Sequence, residues 1–173
     1  MKAKGVGGGN TITGLNFEKE RDILEILKKA KDYSVKSSII SYRGKEVARI
    51  YRKQSLYKLL SERKVDWRKL VSKRLFPDEA LYVIVNNTLF IIEMKFQKVA
   101  GSVDEKLQTC DFKKKQYRKL MAPLNIDVEY IYILNDWFKN TSYKDTLDYV
   151  ISAGCQYYFN YLPLQKIGLP VPK

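Results

Sequence analysis

The fold is decided by residues 77–95, which read PDEALYVIVNNTLFIIEMK. Two runs rich in β-branched and aromatic residues lie on either side of Asn86-Asn87. Asparagine tolerates the positive φ that a two-residue hairpin turn requires. The pattern therefore predicts an antiparallel hairpin in which Val85 pairs with Thr88, at the centre of a sheet.

The register of this hairpin determines which charged side chains meet. It places Asp78 opposite Lys95, with Glu93 two residues from Lys95 on the same strand. Directly opposed residues, and alternate residues of one strand, project to the same face of a sheet. Asp78, Glu93 and Lys95 are therefore predicted to converge on one face. Glu79 and Met94 project to the other face, although a β-bulge at the strand start would exchange Glu79 for Asp78.

Two carboxylates and an ammonium group at one end of an apolar face are unfavourable unless a cation compensates them. Magnesium suits this set, because it binds through one or two carboxylates together with a substrate phosphate. Lys95 would then orient a water molecule or stabilise the charge that develops on phosphorus, which predicts phosphodiester hydrolysis. Gln97 is predicted to contact the scissile phosphate or that water, or else to be a strand residue at the solvent edge. For the acids, the alternative is an ordinary surface ion pair.

The chain is strongly basic, with 32 Lys and Arg against 19 Asp and Glu among 173 residues. Most of the excess lies in residues 1–75, and within 37–75 the basic residues are interleaved with tyrosine and tryptophan. This pattern favours contacts with the phosphates of double-stranded DNA, and a solvated surface that binds nothing is the alternative. The candidate contacts are Arg43, Arg49, Arg52, Lys53, Arg63, Arg68, Lys69 and Arg74, together with Lys113, Lys114 and Arg118 on a later helix.

Residue types that are rare or missing exclude several classes of protein. The chain has no histidine, which excludes Ser-His-Asp and Cys-His relays, histidine-dependent metal nucleases and two-cysteine, two-histidine zinc fingers. Cys110 and Cys155 are too few for a four-cysteine zinc site or a disulfide framework, and free thiols suit a reducing compartment. No apolar run approaches the roughly 20 residues that span a bilayer. We therefore expect a cytoplasmic protein with no membrane partner.

Strand-like runs and helical periodicity alternate along the chain, which predicts an α/β fold with a mixed central sheet flanked by helices. We expect a single domain over residues 1–173, with a basic DNA-contacting elaboration at about 37–75. A glycine-rich lead-in at 5–14 and an extended, packed tail at 162–173 complete it. Predicted helices cover 16–31, 55–63, 66–74, 104–120 and 142–153, and further predicted strands form a hairpin at 37–51 about Arg43-Gly44 and a single strand at 128–134.

Pro77-Asp78 and Glu93-Met94-Lys95 resemble the signature of the PD-(D/E)XK nuclease superfamily. With GSVDEKLQT at 101–109 and YILNDWF at 132–138, the chain is most similar to type II restriction endonucleases, a likeness that covers residues 5–170. The resemblance implies a restriction-endonuclease-like core in which Asp78, Glu93 and the carbonyl of Met94 hold Mg²⁺. It also implies a further acid from the first helix, for which Glu18 is the candidate. Alternatively, Glu18 interacts only with the dipole of that helix.

The predicted function is that of a Mg²⁺-dependent type II restriction endonuclease, which cuts double-stranded DNA at a specific sequence and leaves 5′ phosphates. Palindromic recognition would require a two-fold homodimer in which each subunit cuts one strand. A structure-selective nuclease, such as a Holliday-junction resolvase or a repair nuclease, is the alternative among enzymes. A non-catalytic DNA-binding module is the alternative from another class.

Overall fold

The computed structural model of this protein describes residues 12–99 and 103–173. Most of the predicted glycine-rich lead-in at 5–14 lies outside the described residues, as do the first two residues of the 101–109 segment. Nine strands and five helices are assigned within the described residues. In this part of the chain, no helix is long and apolar enough to cross a membrane.

A mixed sheet of seven strands forms the centre of an α/β fold, as predicted. Its spatial order is β2-β3-β4-β5-β6-β7-β8, antiparallel from β2 to β6 and parallel from β6 to β8. A separate pair joins β1 to β9. The strands are β1 (Gly14–Asn16), β2 (Tyr33–Lys36), β3 (Ile39–Tyr42), β4 (Lys45–Tyr51), β5 (Glu79–Val83), β6 (Thr88–Lys95), β7 (Asp127–Leu134), β8 (Gln156–Phe159) and β9 (Tyr161–Pro163).

Helices cover both faces of this sheet, and each face has its own apolar core. The helices are α1 (Ile23–Lys28), α2 (Ser55–Glu62), α3 (Val103–Leu107), α4 (Cys110–Met121) and α5 (Lys144–Ser152). One core contains Leu89 and Ile91 of β6 with residues of α2, α4 and α5. The other contains Phe90 and Ile92 with residues of α1 and the C-terminal tail. The alternation follows from the two-residue period of a strand, which sends neighbouring side chains to opposite faces.

The central hairpin forms, but its predicted register is wrong by two residues. Val83, rather than Val85, pairs with Thr88, so the connection spans residues 84–87 instead of Asn86-Asn87 alone. Asn87 has the predicted positive φ, of 49°. Because side chains alternate with a period of two, a shift of two residues leaves every side chain on its predicted face.

The predicted helix over 16–31 is wrong at its start, because Asn16 belongs to β1 and pairs with Tyr161 of β9. The cap is Asp22, whose carboxylate accepts the backbone N–H of Leu24. Two further predicted helices differ in the structure. The one predicted over 66–74 is only a 3₁₀ turn at Trp67–Lys69, and the one predicted over 104–120 is divided into α3 and α4. Strands β2 and β8 were not predicted, and the tail contributes β9 and a 3₁₀ turn at Leu164–Ile167.

Other predicted elements are confirmed. Arg43 and Gly44 both have positive φ, 49° and 77°, at the turn between β3 and β4. This is the backbone that a tight hairpin turn requires. Helix α2, strand β7 and helix α5 lie where the sequence placed them. Gly154, with a φ of 69°, follows the end of α5 as a left-handed residue.

Arg52 links the first residue of β5 to the N-terminal cap of α1. Its guanidinium donates to the carboxylate of Glu79 at 2.7 Å and to the cap carboxylate of Asp22 at 2.6 Å. Glu79 is buried on the face opposite Asp78, so this arginine compensates a buried negative charge. These two hydrogen bonds give Arg52 a structural role, which the sequence did not predict for it.

Arg52→Ala should lower the free energy of unfolding by about 2 kcal/mol, because it leaves Glu79 buried without its partner. Loss of one partner of a fully buried pair costs roughly 3–5 kcal/mol, and the partly exposed guanidinium places this pair lower. Urea unfolding followed by circular dichroism measures the change. Arg49→Ala is the matched control. Arg49 and Glu46 form an exposed ion pair on β4, the strand that Arg52 follows, and this pair should contribute less than about 1 kcal/mol. Equal losses for the two variants would contradict the assignment.

Candidate active site

Asp78 lies at the open end of the β5–β6 hairpin. It immediately precedes Glu79, whose pairing with Ile92 is the last of the ladder. The Asp78 side chain is 53% exposed, and its Oδ2 accepts the backbone N–H of Met94 at 3.2 Å. The carboxylate therefore takes the place of the next ladder partner while remaining accessible to solvent.

Glu93 is the buried acid of the site, with a side chain that is only 7% exposed. Its carboxylate forms an ion pair with Lys95 Nζ at 3.0 Å and accepts hydrogen bonds from Lys113 Nζ at 2.9 and 3.1 Å. Lys95 follows on the same strand, whereas Lys113 comes from α4. Two ammonium groups thus surround one buried carboxylate.

Lys95 joins the two acids. Its Nζ lies 3.0 Å from Glu93 Oε2 and 3.9 Å from Asp78 Oδ2. The structure therefore brings together the three side chains that the alternation of the strands predicted to share a face. The ladder ends at Glu79 and Ile92, and its register extended by one residue sets Asp78 opposite Glu93 instead of opposite Lys95.

The protonation state of Glu93 is set by two opposing effects. Burial by itself raises the pKa of this carboxyl, but the positive charges of Lys95 and Lys113 outweigh it and hold the pKa below its usual range. Glu93 is therefore ionised at neutral pH despite its burial. Such a carboxylate is an anionic oxygen ligand held in fixed position.

Tyrosines form the wall beside Glu93. Tyr130 is fully buried, and its hydroxyl has no hydrogen-bond partner among the described residues. Burial and the negative charge of Glu93 raise the pKa of Tyr130, so the phenol is neutral. Burial and the charge of Glu93 also raise the pKa of Tyr117 on α4. Neither tyrosine was predicted from the sequence, because an aromatic residue on a buried strand or helix is ordinarily a core residue.

The oxygens at this end of the hairpin fit a magnesium ion. The N–H and C=O of one strand residue point towards the same neighbouring strand, so the Met94 carbonyl faces the side on which its N–H binds Asp78. Two carboxylates and one carbonyl are a hard oxygen set, which Mg²⁺ completes with water and substrate phosphate. Within residues 12–99 and 103–173 no three acidic or cysteine side chains cluster as metal ligands.

The three successive lysines of α4 have three different environments. Lys113 binds Glu93, whereas Lys115 is exposed and pairs with Asp111. Lys114 is 4% exposed, and its ammonium donates to Glu129 and to the carbonyl of Gly154. The predicted DNA contact of Lys114 is therefore wrong, since its donors are used inside the fold. Successive helical residues are about 100° apart, so a basic run on a helix is not a single surface.

Gln97 and Glu18 lie differently from their predictions. Gln97 is 8% exposed, which rules out a strand residue at the solvent edge, and its amide donates to the carbonyl of Val99. Glu18 lies in an exposed turn after β1, five residues before α1 begins, so it is not a first-turn residue of that helix. In the described part of the chain, Glu18 makes no hydrogen bond or ion pair with Asp78, Glu93 or Lys95.

The predicted basic surface is divided between paired and unpaired cations. Arg43 pairs with Asp32, and Arg49 pairs with Glu46. Arg68 lies over the Trp67 ring and 3.6 Å from Asp66. Five other predicted contacts form no ion pair with any described residue: Lys53, Arg63, Lys69, Arg74 and Arg118. Of the cations predicted to contact DNA, those without an ion pair among the described residues therefore lie between residues 53 and 74, with Arg118 on α4.

No family model, curated protein or solved structure shows significant similarity to this chain. Its function therefore has to be inferred from the chemistry of the site. That chemistry comprises one accessible carboxylate, one buried carboxylate that is ionised, and two lysines that neutralise them.

The acid dependence of stability tests the environment of Glu93. A carboxyl whose pKa is lowered in the folded state contributes stability above its usual value of 4.5, and this contribution is lost as the pH falls through the folded value. The unfolding free energy of the wild type should therefore fall below pH 4.5. Glu93→Gln should be less stable by about 1 kcal/mol at neutral pH and should fall less steeply over the acidic interval. Parallel pH profiles of the two proteins, measured by urea unfolding, would contradict this account.

Proposed function

We propose that this chain is a magnesium-dependent nuclease of the PD-(D/E)XK type, most similar to type II restriction endonucleases. The observation that carries the proposal is the joining of Asp78 and Glu93 through Lys95 at one end of the central hairpin. The buried position of Glu93 distinguishes this cluster from an ordinary surface ion pair. Ionisable groups with perturbed pKa values cluster at functional sites, which favours a role in ligand binding for this pair of acids.

The arrangement of the elements supports the same proposal. Helix α1 precedes the antiparallel strands β4, β5 and β6, and helix α4 then leads to the parallel strand β7. This is the order of helix, strands, helix and strand that a restriction-endonuclease-like core requires. The signature residues lie on β6 and immediately before β5, as the resemblance implies.

In the proposed mechanism, Asp78, Glu93 and the Met94 carbonyl hold Mg²⁺. When bound, the metal supplies positive charge to the scissile phosphate and acidifies a water molecule. Lys95 positions that water and stabilises the negative charge that develops on the phosphoryl oxygens. The water oxygen forms a bond to phosphorus while the bond to the 3′ oxygen breaks, which leaves a 5′ phosphate and a 3′ hydroxyl.

Lys113 has a distinct place in this scheme. Its ammonium binds both oxygens of Glu93, which are the atoms that a metal would ligate. It therefore stabilises the ionised acid before the metal arrives and competes with the metal for it. The sequence predicts a DNA contact for this residue, whereas its position on Glu93 supports a role inside the site.

The unpaired cations between residues 53 and 74, with Arg118, would bind the DNA phosphates. We also propose a two-fold homodimer that cuts both strands of a palindromic site, in the cytoplasm, where Cys110 and Cys155 remain as the free thiols that the structure describes. A structure-selective nuclease is the second candidate. It is favoured by an aromatic side chain, Phe76, that is 53% exposed two residues before Asp78.

Digestion of plasmid and phage DNA with Mg²⁺ tests the proposal directly. A restriction endonuclease gives discrete fragments, and their sequenced ends report the recognition sequence and the cut position. Preferred cutting of four-way junctions, without discrete fragments from linear duplexes, would identify the structure-selective alternative. Binding of DNA without any cutting would identify the non-catalytic module.

Glu93→Ala and Lys95→Ala should each lower the rate of cutting by at least about a thousandfold, because each removes a group that acts on the transition state. Gel assays under single-turnover conditions measure the rate, and filter binding without metal should show DNA affinity close to that of the wild type. Lys28→Ala is the control for Lys95→Ala. It removes one positive charge as well, but from an exposed lysine on α1. Retained cutting in either site variant would reject the assignment.

Lys113→Met should tighten magnesium binding roughly fivefold, because it removes one ammonium group that competes for Glu93. A competing interaction of about 1 kcal/mol corresponds to that change in affinity. Isothermal titration with Mg²⁺ alone measures the affinity without any assay of cutting. Lys115→Met is the matched control two residues along, since Lys115 pairs with Asp111 in solvent. Weaker binding by Lys113→Met would show that Lys113 supports the metal site instead of competing with it.

A further inference from the structure

A groove runs from the candidate active site along the outer side of α2. One part, of about 480 Å³, is lined by Phe76, Pro77 and Asp78 with Lys53 and Gln54. The adjoining part, of about 350 Å³, is lined by Gln54, Tyr57, Lys58, Ser61, Glu62 and Arg74. Gln54 belongs to both linings, so the two parts adjoin at this residue. We call this surface the α2 groove.

Phe76 presents an exposed ring in the α2 groove. It is 53% exposed, and its ring packs edge-on against that of Tyr57, with 6.0 Å between centroids. Tyr57 is itself fixed, because its hydroxyl accepts the backbone N–H of Leu75 at 2.7 Å and donates to the carbonyl of the same residue. An exposed ring held on a rigid support is a stacking platform for a nucleic-acid base.

The cations of the α2 groove are free to bind an anion. Among the described residues, Lys53, Lys58 and Arg74 form no ion pair, and they exceed the acids of the lining, Glu62 and Asp78. The guanidinium of Arg74 lies 4.9 Å from the centroid of Trp67 and 5.3 Å from that of Tyr57. These rings hold the guanidinium in place, while its N–H groups remain unpaired.

The two parts of the groove match a single strand in size. Volumes of 350 and 480 Å³ are those of pockets that hold a small molecule, which corresponds to one or two nucleotides. A single strand fits such a groove, with bases against aromatic rings and phosphates against cations. The groove begins at Asp78, so the strand would continue from the phosphate at the active site.

We propose that the α2 groove binds an unpaired segment of the DNA strand that is cut, with one base stacked on Phe76 and its phosphates on Lys53, Lys58 and Arg74. The placement of the scissile phosphate at Asp78 rests on the proposed function. A substrate with an unpaired nucleotide next to the cut, such as an overhang or a branch, then engages the groove directly, which favours the structure-selective nuclease, the second candidate of the proposed function.

Fluorescence anisotropy in EDTA tests this proposal, with labelled oligodeoxythymidine as the single strand and a blunt duplex as the comparison. Phe76→Leu keeps an apolar side chain but removes the ring, and it should weaken binding of the single strand about tenfold while changing duplex binding less than twofold. Phe112→Leu is the matched control, because Phe112 is 63% exposed on α4 and does not line the groove. Equal losses for single strand and duplex, or for the two phenylalanine variants, would overturn the proposal.

Lys53→Gly provides a test that misfolding cannot explain. Lys53 has a φ of 47°, which glycine adopts without the steric cost that lysine bears, so the variant should unfold at the same or a higher urea concentration. It should nevertheless weaken single-strand binding severalfold and reduce its dependence on salt. Unchanged affinity would remove Lys53 from the site and contradict the path of the strand.

The measurements in EDTA separate this proposal from the proposed function. If no DNA is cut with Mg²⁺ but Phe76→Leu still weakens single-strand binding, the nuclease proposal fails and the α2 groove stands. If DNA is cut and Phe76→Leu binds the single strand normally, the groove proposal alone fails. Tighter Phe76-dependent binding of oligouridine than of oligodeoxythymidine would overturn the assignment to DNA.

Discussion

The burial of an ionised carboxylate at Glu93 is the constraint on which this end of the molecule depends. Glu93 is 7% exposed, and an uncompensated charge in that position would be strongly unfavourable. Compensation comes from its own strand through Lys95 and from α4 through Lys113. The same contacts thus fix the helix against the sheet and hold the carboxylate where Asp78 can approach it.

Glu79 is a second buried acid of the same hairpin, and its contacts are those of a structural residue. It lies on the other face of the same hairpin and is bound by Arg52, which also binds the cap residue Asp22. A guanidinium with two carboxylate partners is a rigid bridge. Glu93 instead has two single ammonium groups on flexible stems, and its neighbour Asp78 is 53% exposed. An incoming cation can replace an ammonium group on a flexible stem more readily than a guanidinium that binds two carboxylates at once, so the two faces of one hairpin serve different purposes.

The candidate site could be predicted from sequence because its geometry depends on the parity of residue positions. The register of β5 and β6 slipped by two, yet Asp78, Glu93 and Lys95 still share a face, since only a slip of one would separate them. Helical stretches were less predictable. The 16–31 helix was wrong because pairing of Asn16 with Tyr161 of β9 joins segments distant along the chain, which no local pattern reports. The role of Lys113 was likewise hidden, because the helix phase that turns it to Glu93 and Lys114 inward depends on how α4 packs.

The structure also shows which basic residues are already paired within the fold, which composition alone does not report. In the first half of the chain, Arg43, Arg49 and Arg52 are bound to carboxylates within the fold. Lys53, which has no ion pair among the described residues, lies next to the groove that opens at Asp78. A basic surface reduced in this way is narrower than the sequence predicts and lies on one side of the two acids. An anionic strand attracted to it would therefore be led towards the carboxylates from α2, which is the approach that places a phosphate beside Lys95.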